Sequence, residues 1–331
     1  MERSGMTVLV TGAGGFIGSH VVEQLVAQGS RVRAFVRYTS RTETDAGWLR
    51  TLSDETLRSI EIVRGDLRDS SAVLQAMDGC EIVFHLGAVI SIPYSYVHPR
   101  DVIETNILGT LNVLEAARTT QPKRLIHASS SEVYGTAQQT PMSERHPLRA
   151  QSPYSASKIG ADKLVESFHR SFGVPTVTIR PFNTYGPRQS ARAVIPTIIV
   201  QALTGEQIRL GSLHPRRDFA FVEDTARAFV LAAAAPEAVG REIHLGTNQE
   251  IAVGELAEKI VRLTGRRVPV VSEDERVRPS MSEVERLIAD NTLAKTVLGW
   301  EPGVSLDEGL NRTIAWFQEH LGLYEAAEYN V

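Results

Sequence analysis

The chain has 331 residues, of which 42% are hydrophobic and 22% charged, and these ordinary globular values exclude a disordered or fibrous protein. A formal net charge of −4 provides no general basic field for a nucleic acid, so any site for phosphate must be local. The length suits one large domain with a second lobe. Cys80 is the single cysteine, which excludes an internal disulfide and agrees with a reducing compartment.

Short apolar and β-branched runs alternate with helical patterns through the first half of the chain. They are TVLVTG, VRAFVR, IEIVRGD, EIVFHLGA, RLIHASS and VPTVTIRP. Strands without polar alternation are covered on both faces, so we predict an α/β fold with a Rossmann-like, doubly wound parallel sheet. Ligands of such sheets bind at the carboxyl ends of the strands.

The first predicted strand runs into the glycine-rich stretch TGAGGFIGSH, which opens a helix. Glycines let the backbone approach a pyrophosphate closely, and a helix N-terminus offers free N–H groups. The stretch follows a strand and begins a strand–helix–strand pattern, and this context favours binding over a plain tight turn. We therefore predict a nicotinamide dinucleotide site at Gly12, Gly15, Phe16, Ile17 and Gly18.

The end of the second predicted strand bears on the choice of cofactor. An acid that would hold the adenosine ribose hydroxyls is missing there, since Val36 is followed by RYTSR. Arg37, Ser40 and Arg41 are able to pair with a 2′-phosphate, which favours NADP over NAD. The alternative is that both arginines belong to a solvated loop.

The pattern of strands loosens after RPFNTYGPR, where turns, arginines and isolated helices such as AVGELAEKIVRLTG and SLDEGLNRTIAWFQEHLG follow. We predict an NAD(P)-binding domain over residues 1–180, to which 219–248 return. Residues 181–218 and 249–331 then form a smaller C-terminal α/β lobe for the substrate. The N-terminal apolar stretch is too short for a signal peptide, and no apolar run approaches the roughly 20 residues of a membrane span, so we expect a cytoplasmic protein without membrane contact.

The segment YSASK puts Tyr154 and Lys158 four residues apart, on one face of a helix. A phenol with an ordinary pKa of about 10 needs neighbouring positive charge before it can act as a base near neutrality. Lys158 and a positive nicotinamide ring would supply that charge.

With these motifs in place, the chain resembles the extended short-chain dehydrogenase/reductase family, and within it the nucleotide-sugar epimerases and dehydratases. The resemblance covers nearly the whole chain and is closest to the dehydratases of the GDP-mannose type and of the legionaminic acid pathway. Its motifs are TGAGGFIGSH, GDLRD, FHLGA, NILGTLNVLEAA, SSSEVYG, YSASK, RPFNTYGPR, RRDFAFVED, RPSMSEVERLIAD and LGWEP.

The resemblance implies a role for each matching residue. Ser130 matches the residue that hydrogen-bonds the 4-hydroxyl of the sugar, Tyr154 the base, and Lys158 the cation that lowers the tyrosine pKa and holds the nicotinamide ribose. The remaining matches are Asp66 and Leu67 at the adenine, Asn106 behind the catalytic lysine, and Asn183, Arg217 and Arg278 at the nucleotide diphosphate. Arg188 is a further predicted substrate-binding residue.

Ser131 and Glu132 lie between Ser130 and the VYG triplet, where simple 4-epimerases of this family have small or unreactive residues. Oxidation at C4 acidifies the C5 proton, which Glu132 would remove as general base while the C6 hydroxyl leaves. Hydride would then return to C6 and give a 4-keto-6-deoxy sugar. The dTDP-glucose 4,6-dehydratases have aspartate where Ser131 stands, so the general acid is left open between Ser131 with a water and protonated Glu132.

We therefore predict an NDP-hexose 4,6-dehydratase, with an N-acetylglucosamine nucleotide as one candidate substrate and with NADP or NAD tightly bound and recycled. The alternatives are a UDP-glucuronate decarboxylase, whose family can also show SEVYG, and a 4-epimerase. A non-catalytic NADP sensor is a further alternative, which the intact Tyr154 and Lys158 disfavour. The family resemblance implies a homodimer through the helices that carry Asn106 and Tyr154. No His, Cys or acidic cluster has metal-ligand spacing, so we expect no catalytic metal.

Overall fold

The computed structural model describes residues 5–37 and 46–324. The strands are β1 (Thr7–Thr11), β2 (Arg31–Arg37), β3 (Ile60–Gly65), β4 (Ile82–His85), β5 (Arg124–Ala128), β6 (Thr176–Pro181), β7 (Asn183–Tyr185), β8 (Ile208–Leu210), β9 (Arg216–Arg217), β10 (Phe219–Phe221), β11 (Glu242–Leu245), β12 (Ile251–Ala252), β13 (Val270–Ser272) and β14 (Arg286–Leu287). The α-helices are α1 (Phe16–Ala27), α2 (Asp54–Arg58), α3 (Ser70–Met77), α4 (Ile92–Val97), α5 (Pro99–Ile103), α6 (Gly109–Thr120), α7 (Pro153–Phe172), α8 (Val194–Thr204), α9 (Val222–Ala234), α10 (Val253–Thr264) and α11 (Leu306–Glu319).

A seven-stranded parallel sheet forms the centre of the fold, in the order β11-β6-β5-β4-β1-β2-β3. The six predicted strands are β1 to β6, which confirms the Rossmann-like α/β fold. Successive side chains of β1 show why the sequence lacks polar alternation. Val8 and Val10 join the cluster with α1 and α9, whereas Leu9 joins the cluster with α3 and α6 on the opposite face. Both faces are therefore buried.

The chain leaves this sheet after β6 and returns to it at β11, where Ile243 pairs with Ile179 in parallel register. Between and after these points it forms the small sheets β7–β10, β8–β13 and β12–β9–β14. A second apolar core gathers α8, α10 and α11 around residues such as Ile198, Leu256 and Phe317. We propose that this core belongs to the substrate lobe, with the boundaries predicted from the sequence.

Two features of the described residues concern membrane spans and metal sites. None of their helices is long and apolar enough to cross a membrane. Across the same two ranges, no three His, Cys, Asp or Glu side chains are grouped so that they could hold a metal ion.

Candidate active site

A cavity of about 690 Å³ opens at the carboxyl ends of the central strands. It is lined by segments that are far apart in the sequence, including the turn after β1, the stretch after β5 and the start of α7. The predicted site residues that line it are Gly12, Gly15, Phe16, Ile17, Gly18, Arg37, Ser130, Glu132, Tyr154, Lys158 and Asn183. The fold thus gathers most of the predicted residues at the sheet edge where ligands of such sheets bind.

The glycine-rich turn forms one wall of this cavity. Gly12 has φ of +69°, and a Cβ there would come within 2.8 Å of the backbone of Gly87. A Cβ at Gly18 would collide with the carbonyl oxygen of Gly12. Gly15 is the N-cap of α1 and contributes no side chain to the N–H groups of the first turn. The turn therefore fits a pyrophosphate, because close backbone approach and uncapped N–H groups are what that group requires.

The segment after the second strand covers this turn. Arg37 ends β2 and lines the cavity, whereas Ser40 and Arg41 lie outside the described residues. Where the description resumes, the N–H of Trp48 donates to the carbonyl of Gly14 at 2.9 Å, and Gly47 lines the cavity. Residues Gly47–Thr51 form a 3₁₀ turn that borders the cofactor side of the cleft.

The stretch SSSEVYG forms a 3₁₀ turn over Ser131–Tyr134, directly after β5. Ser130 caps this turn by accepting a hydrogen bond from the N–H of Glu132 at 3.2 Å, and the carbonyl of Glu132 accepts one from Ser155 at 2.6 Å. The main chain of Glu132 is thus held from two sides, while its side chain lines the cavity. Held in this way, the carboxylate is positioned for use as a proton acceptor.

Ser131 has a different environment from its two neighbours. Its exposed fraction is 2%, and it is not among the described residues that line the cavities. A 3₁₀ turn has about three residues per turn, so successive side chains point about 120° apart and only some of them reach one surface. The structure therefore does not support the prediction that Ser131 takes part in catalysis.

Tyr154 and Lys158 enter the cavity from the first turns of α7, as their spacing predicts. Ser152 caps the helix by accepting from the N–H of Ser155 at 3.0 Å. Burial raises the pKa of Tyr154 to about 12, with the hydrogen bond from Ser130 opposing it and the charge of Glu132 adding to it. Burial also lowers the pKa of Lys158 to about 8, and its ammonium donates to the carbonyl of Ala128 at 2.6 Å.

The raised pKa of Tyr154 bears on its proposed use as a base. The sequence predicts that positive charge lowers the pKa of the phenol, but in the protein alone burial has the larger effect and raises the pKa of Tyr154. The chain's own contribution that lowers this pKa is the hydrogen bond from Ser130. The fit of the cavity to a nicotinamide dinucleotide is consistent with this, since a bound cation beside the phenol would favour its ionised form.

Asn106 holds two walls of the cavity together. It lies in a π-helical turn over Glu104–Leu108. Its amide nitrogen donates to the carbonyl of Val89 and to the hydroxyl of Ser157, both at 2.9 Å, while its oxygen accepts from the N–H of Val89 at 2.8 Å. With its amide engaged in this way, Asn106 positions α7 against the segment after β4.

Asp66 and Leu67, the predicted adenine-contacting pair, are engaged with the protein. The carboxylate of Asp66 pairs with Arg68 at 2.6 Å, and this hydrogen bond lowers the pKa of Asp66. Leu67 is buried against Gly87 and Gly109. Neither residue is among the described residues that line the cavity, so their contact with adenine stays a prediction.

A second cavity of about 430 Å³ adjoins the first and shares Glu132, Asn183 and Thr184 with it. Arg217 and Arg278 line this second cavity, and so does Glu283. Burial lowers the pKa of the Arg217 guanidinium. Two arginines beside a shared wall of the main cavity suit an anionic group that extends from it.

Arg188 does not reach either cavity lining. It is 7% exposed, and its Nη1 donates to the carboxylate of Glu23 on α1 at 3.0 Å. Its backbone has φ of +68°, in the left-handed region. Arg188 therefore ties the segment after β7 to α1, and its predicted part in substrate binding stays a prediction.

The site also contains residues that sequence reasoning missed. Asp162, one turn after Lys158 on α7, accepts hydrogen bonds from Ser129 at 2.7 Å and from Arg180 at 2.9 Å. Burial opposes its ionisation, but the hydrogen bond from His127 and the charge of Arg180 outweigh burial and lower the pKa of Asp162 to about 2. The sequence signal for Asp162 is its i, i+4 spacing from Lys158. Its hydrogen-bond partners come from β5, the residue after it and β6.

Comparison with known proteins identifies the family of the chain. A family model described as GDP-mannose 4,6 dehydratase matches residues 9–313. The chain is 34% identical to a UDP-glucose 4-epimerase of Mycolicibacterium smegmatis, over 95% of this chain and 99% of that protein. It is 33% identical to a dTDP-glucose 4,6-dehydratase of Xanthomonas campestris, over 94% of this chain and 93% of that protein.

Similarity in structure extends over the same length. A dTDP-glucose 4,6-dehydratase from Streptomyces venezuelae, solved with NAD bound, superimposes with a TM-score of 0.87 and 29% identity, covering 97% of this chain and 99% of that one. The chain belongs to the extended short-chain dehydrogenase/reductase family of nucleotide-sugar epimerases and dehydratases, which are nicotinamide-dependent enzymes.

Proposed function

We propose that this enzyme is an NDP-hexose 4,6-dehydratase, which converts a nucleotide hexose into a nucleotide 4-keto-6-deoxy sugar. The observation that carries the proposal is the carboxylate of Glu132, which lines the same cavity as Ser130 and Tyr154. A 4-epimerase needs a hydroxyl, a phenol and a lysine at this position. The added carboxylate suits a second chemical step at the neighbouring carbon.

The residues divide the chemistry between C4 and C5. Tyr154 removes the proton of the 4-hydroxyl, and Ser130, which hydrogen-bonds the phenol, orients it. A nicotinamide dinucleotide, held by the glycine-rich turn and Lys158, supplies the hydride acceptor at C4 and the hydride donor at C6. Glu132 takes the proton of C5, which the 4-ketone has acidified.

The local hydrogen bonds of Glu132 support this role. Its N–H and carbonyl hydrogen-bond with Ser130 and Ser155, so Glu132 stabilises the turn through its main chain. The nearest described partner of the carboxylate is Nη1 of Arg278 at 4.0 Å, which is beyond hydrogen-bond length. The side chain is therefore available for a substrate proton.

We further propose that the cofactor is NADP, because Arg37 ends β2 beside the cavity and no acid stands at the end of that strand. The solved relative named above binds NAD, so NAD is the alternative. Binding of both dinucleotides to the cofactor-depleted protein, measured by calorimetry, distinguishes them. Tighter binding of NAD would remove the argument from Arg37.

We also propose a homodimer through α5, α6 and α7. Ile103, Leu108 and Phe172, on or next to these helices, are exposed by 43%, 48% and 49%, and exposed large apolar side chains would be covered at such an interface. Light scattering coupled to gel filtration would give twice the mass of 36.3 kDa. A monomeric mass would contradict this proposal and leave the chemistry untouched.

A 4-epimerase is the second candidate, favoured by the 34% identity to the mycobacterial epimerase. The test is incubation of the enzyme with the UDP, dTDP and GDP derivatives of glucose, mannose and N-acetylglucosamine, followed by proton NMR. A dehydratase gives a C6 methyl doublet, and the N-acetylglucosamine nucleotide is the substrate we expect. A C4-inverted hexose with an intact hydroxymethyl group would establish the epimerase, and release of carbon dioxide from UDP-glucuronate would establish the decarboxylase.

A further inference from the structure

Four charged side chains meet where the two cavities join. Nη1 of Arg278 lies 4.0 Å from Oε1 of Glu132 and 3.9 Å from Oε1 of Glu283. Arg217 approaches the same carboxylate of Glu283 at 3.5 Å. Both carboxylates therefore lie within about 8 Å of each other and share one guanidinium.

The shared guanidinium lacks a close partner. Nη1 of Arg278 is buried and, within the described residues, makes no hydrogen bond. A buried charged donor without a partner is costly, and a diphosphate is an anion that satisfies two arginines at once. The geometry is that of a site prepared for an anion, with Glu283 as a weak substitute when the ligand is absent.

The proposed reaction still needs a general acid, and Glu283 lies close to where one is required. Departure of the C6 hydroxyl needs a proton, and Ser131, which would have helped to supply it, is buried away from the cavities. Glu132 is engaged as the base. Glu283 is a second carboxyl group on the wall that faces Glu132 across Arg278, and two carboxyl groups in different surroundings often divide acid and base roles.

We propose that Glu283 is the general acid that protonates the departing C6 hydroxyl, and that binding of the substrate diphosphate loads its proton. This inference rests on the proposed dehydratase function. In the step, Glu132 takes the C5 proton, the electron pair of that bond forms the C5–C6 double bond, and the C6–O bond breaks. The oxygen leaves as water with the proton of Glu283. A bound nicotinamide dinucleotide would supply the hydride at C6, and Glu132, once its proton has exchanged with solvent, would return a proton to C5.

The proposed protonation of Glu283 on substrate binding depends on the charges around its carboxyl group. In the protein alone, Arg217 and Arg278 lie 3.5 and 3.9 Å from the carboxylate of Glu283. A bound diphosphate occupies both arginines and adds negative charge nearby, which favours the neutral carboxyl group. The other charged side chains lining this cavity are Arg192, Arg209 and Arg276, of which Arg209 and Arg276 pair with Glu273 at 3.4 and 2.6 Å.

The loading is measurable without turnover. Binding of UDP-4-deoxyglucose or dTDP-4-deoxyglucose is followed by calorimetry near pH 7 in buffers of different ionisation enthalpy, which gives the number of protons bound. These probes lack the hydroxyl that is oxidised, and their diester diphosphates do not titrate in this range. We expect proton uptake in the wild type and its loss in Glu283→Gln. Equal uptake in both proteins, or binding without uptake in the wild type, would overturn the loading.

The matched control is Glu285→Gln. Glu285 lies two residues further along, is half exposed and pairs with His214 at 2.9 Å. This variant should keep both the proton uptake and the turnover of the wild type. Thermal unfolding of both variants shows whether each is folded before its chemistry is compared.

The acid role is tested with a leaving group that needs no proton. Glu283→Gln should still oxidise C4, seen as absorbance of the reduced cofactor at about 340 nm, but should form product at least about 100-fold more slowly. A 6-deoxy-6-fluoro nucleotide sugar should restore elimination in Glu283→Gln and leave Glu132→Gln inactive. Wild-type turnover by Glu283→Gln, or no rescue by fluoride, would refute the assignment.

These outcomes separate the two proposals. If the wild type dehydrates its substrate and Glu283→Gln does so equally well, only the acid assignment is wrong. If the wild type forms a C4 epimer instead, the dehydratase function is wrong and the acid assignment is wrong with it.

Discussion

The two ends of the cleft are built differently. At the cofactor end, the reactive groups are buried and hydrogen-bonded, since Lys158 donates to Ala128 at 2.6 Å and the phenol of Tyr154 bonds Ser130. At the substrate end, the charges of Arg278 and Glu283 face each other at 3.9 Å, without a hydrogen bond. The first end is already organised by the protein, whereas the second is organised so that an anion completes it.

This difference determines how each end responds to its ligand. Burial raises the pKa of Tyr154 and lowers that of Lys158, so a cofactor mainly adds charge to groups that are already in position. In the proposed mechanism, the arginines at the other end exchange a carboxylate for a diphosphate, which would change the charge around Glu132 and Glu283. Variants of the two ends should therefore separate chemistry, folding and binding.

The largest effect is expected for Tyr154→Phe. In the proposed mechanism the phenol takes the proton of the 4-hydroxyl, and loss of a general base costs up to about 10⁴-fold in rate. We expect at least about a 1000-fold loss of both cofactor reduction at C4 and product formation, with unchanged affinity for the nucleotide sugar. Stopped-flow absorbance and calorimetry measure these quantities. Normal oxidation at C4 would contradict the role of the phenol.

Asp162→Asn tests the folding of the cofactor end. The variant leaves the buried Arg180 without its fully buried carboxylate, so the free energy of unfolding should fall by about 3 kcal/mol at pH 7. The pKa of Asp162 is about 2 when folded and about 3.9 when unfolded. Its stabilisation is therefore complete above about pH 4 and is lost as the pH falls towards 2.

The measurement for Asp162 is urea unfolding across this pH range. The difference between wild type and variant should shrink as the solution is acidified. Ser129→Ala is the control, because it removes one hydrogen bond to Asp162 and keeps the charge. A difference that does not change with pH would contradict the account of this carboxylate.

Arg278→Ala and Arg188→Ala separate binding from structure. Removal of Arg278 should weaken nucleotide-sugar binding by about 30-fold, or about 2 kcal/mol, and leave cofactor binding unchanged. Removal of Arg188, whose partner Glu23 is 45% exposed, should lower the unfolding temperature by a few degrees and leave substrate binding intact. Equal losses of binding in the two variants would contradict the distinction between them.

The smallest effect is expected for Arg37→Ala. This residue lies at the exposed end of β2, where a charged contact contributes about 1 kcal/mol. The affinity for NADP should fall about 5-fold, while the affinity for NAD stays the same. An equal change for both dinucleotides would show that Arg37 does not recognise a 2′-phosphate.

Residues close together in the sequence were predictable where one element presents them. The spacing of Tyr154 and Lys158 brings both into the cavity because α7 is a regular helix. Glu132 follows Ser130 by two residues and reaches the same wall. By contrast, Ser131 is buried because a 3₁₀ turn separates it from its neighbours.

The charge cluster was not predictable in the same way. Arg217 was matched by family resemblance, but its approach to Glu283 depends on the loop that crosses from β13 to β14. Arg188 shows the same limit, because its left-handed backbone turns it towards Glu23. Contacts of this kind follow from the packing of the second lobe and leave no local periodicity in the sequence.

The dehydratase proposal depends most on removal of the C5 proton by Glu132. Turnover in D₂O, followed by proton NMR of the product, tests it directly. The wild type should give a product with a C6 methyl signal and deuterium at C5, while Glu132→Gln should reduce the cofactor at C4 and form no methyl group. A methyl signal of wild-type intensity from Glu132→Gln, or a wild-type product that keeps its C6 hydroxymethyl group, would contradict the claim.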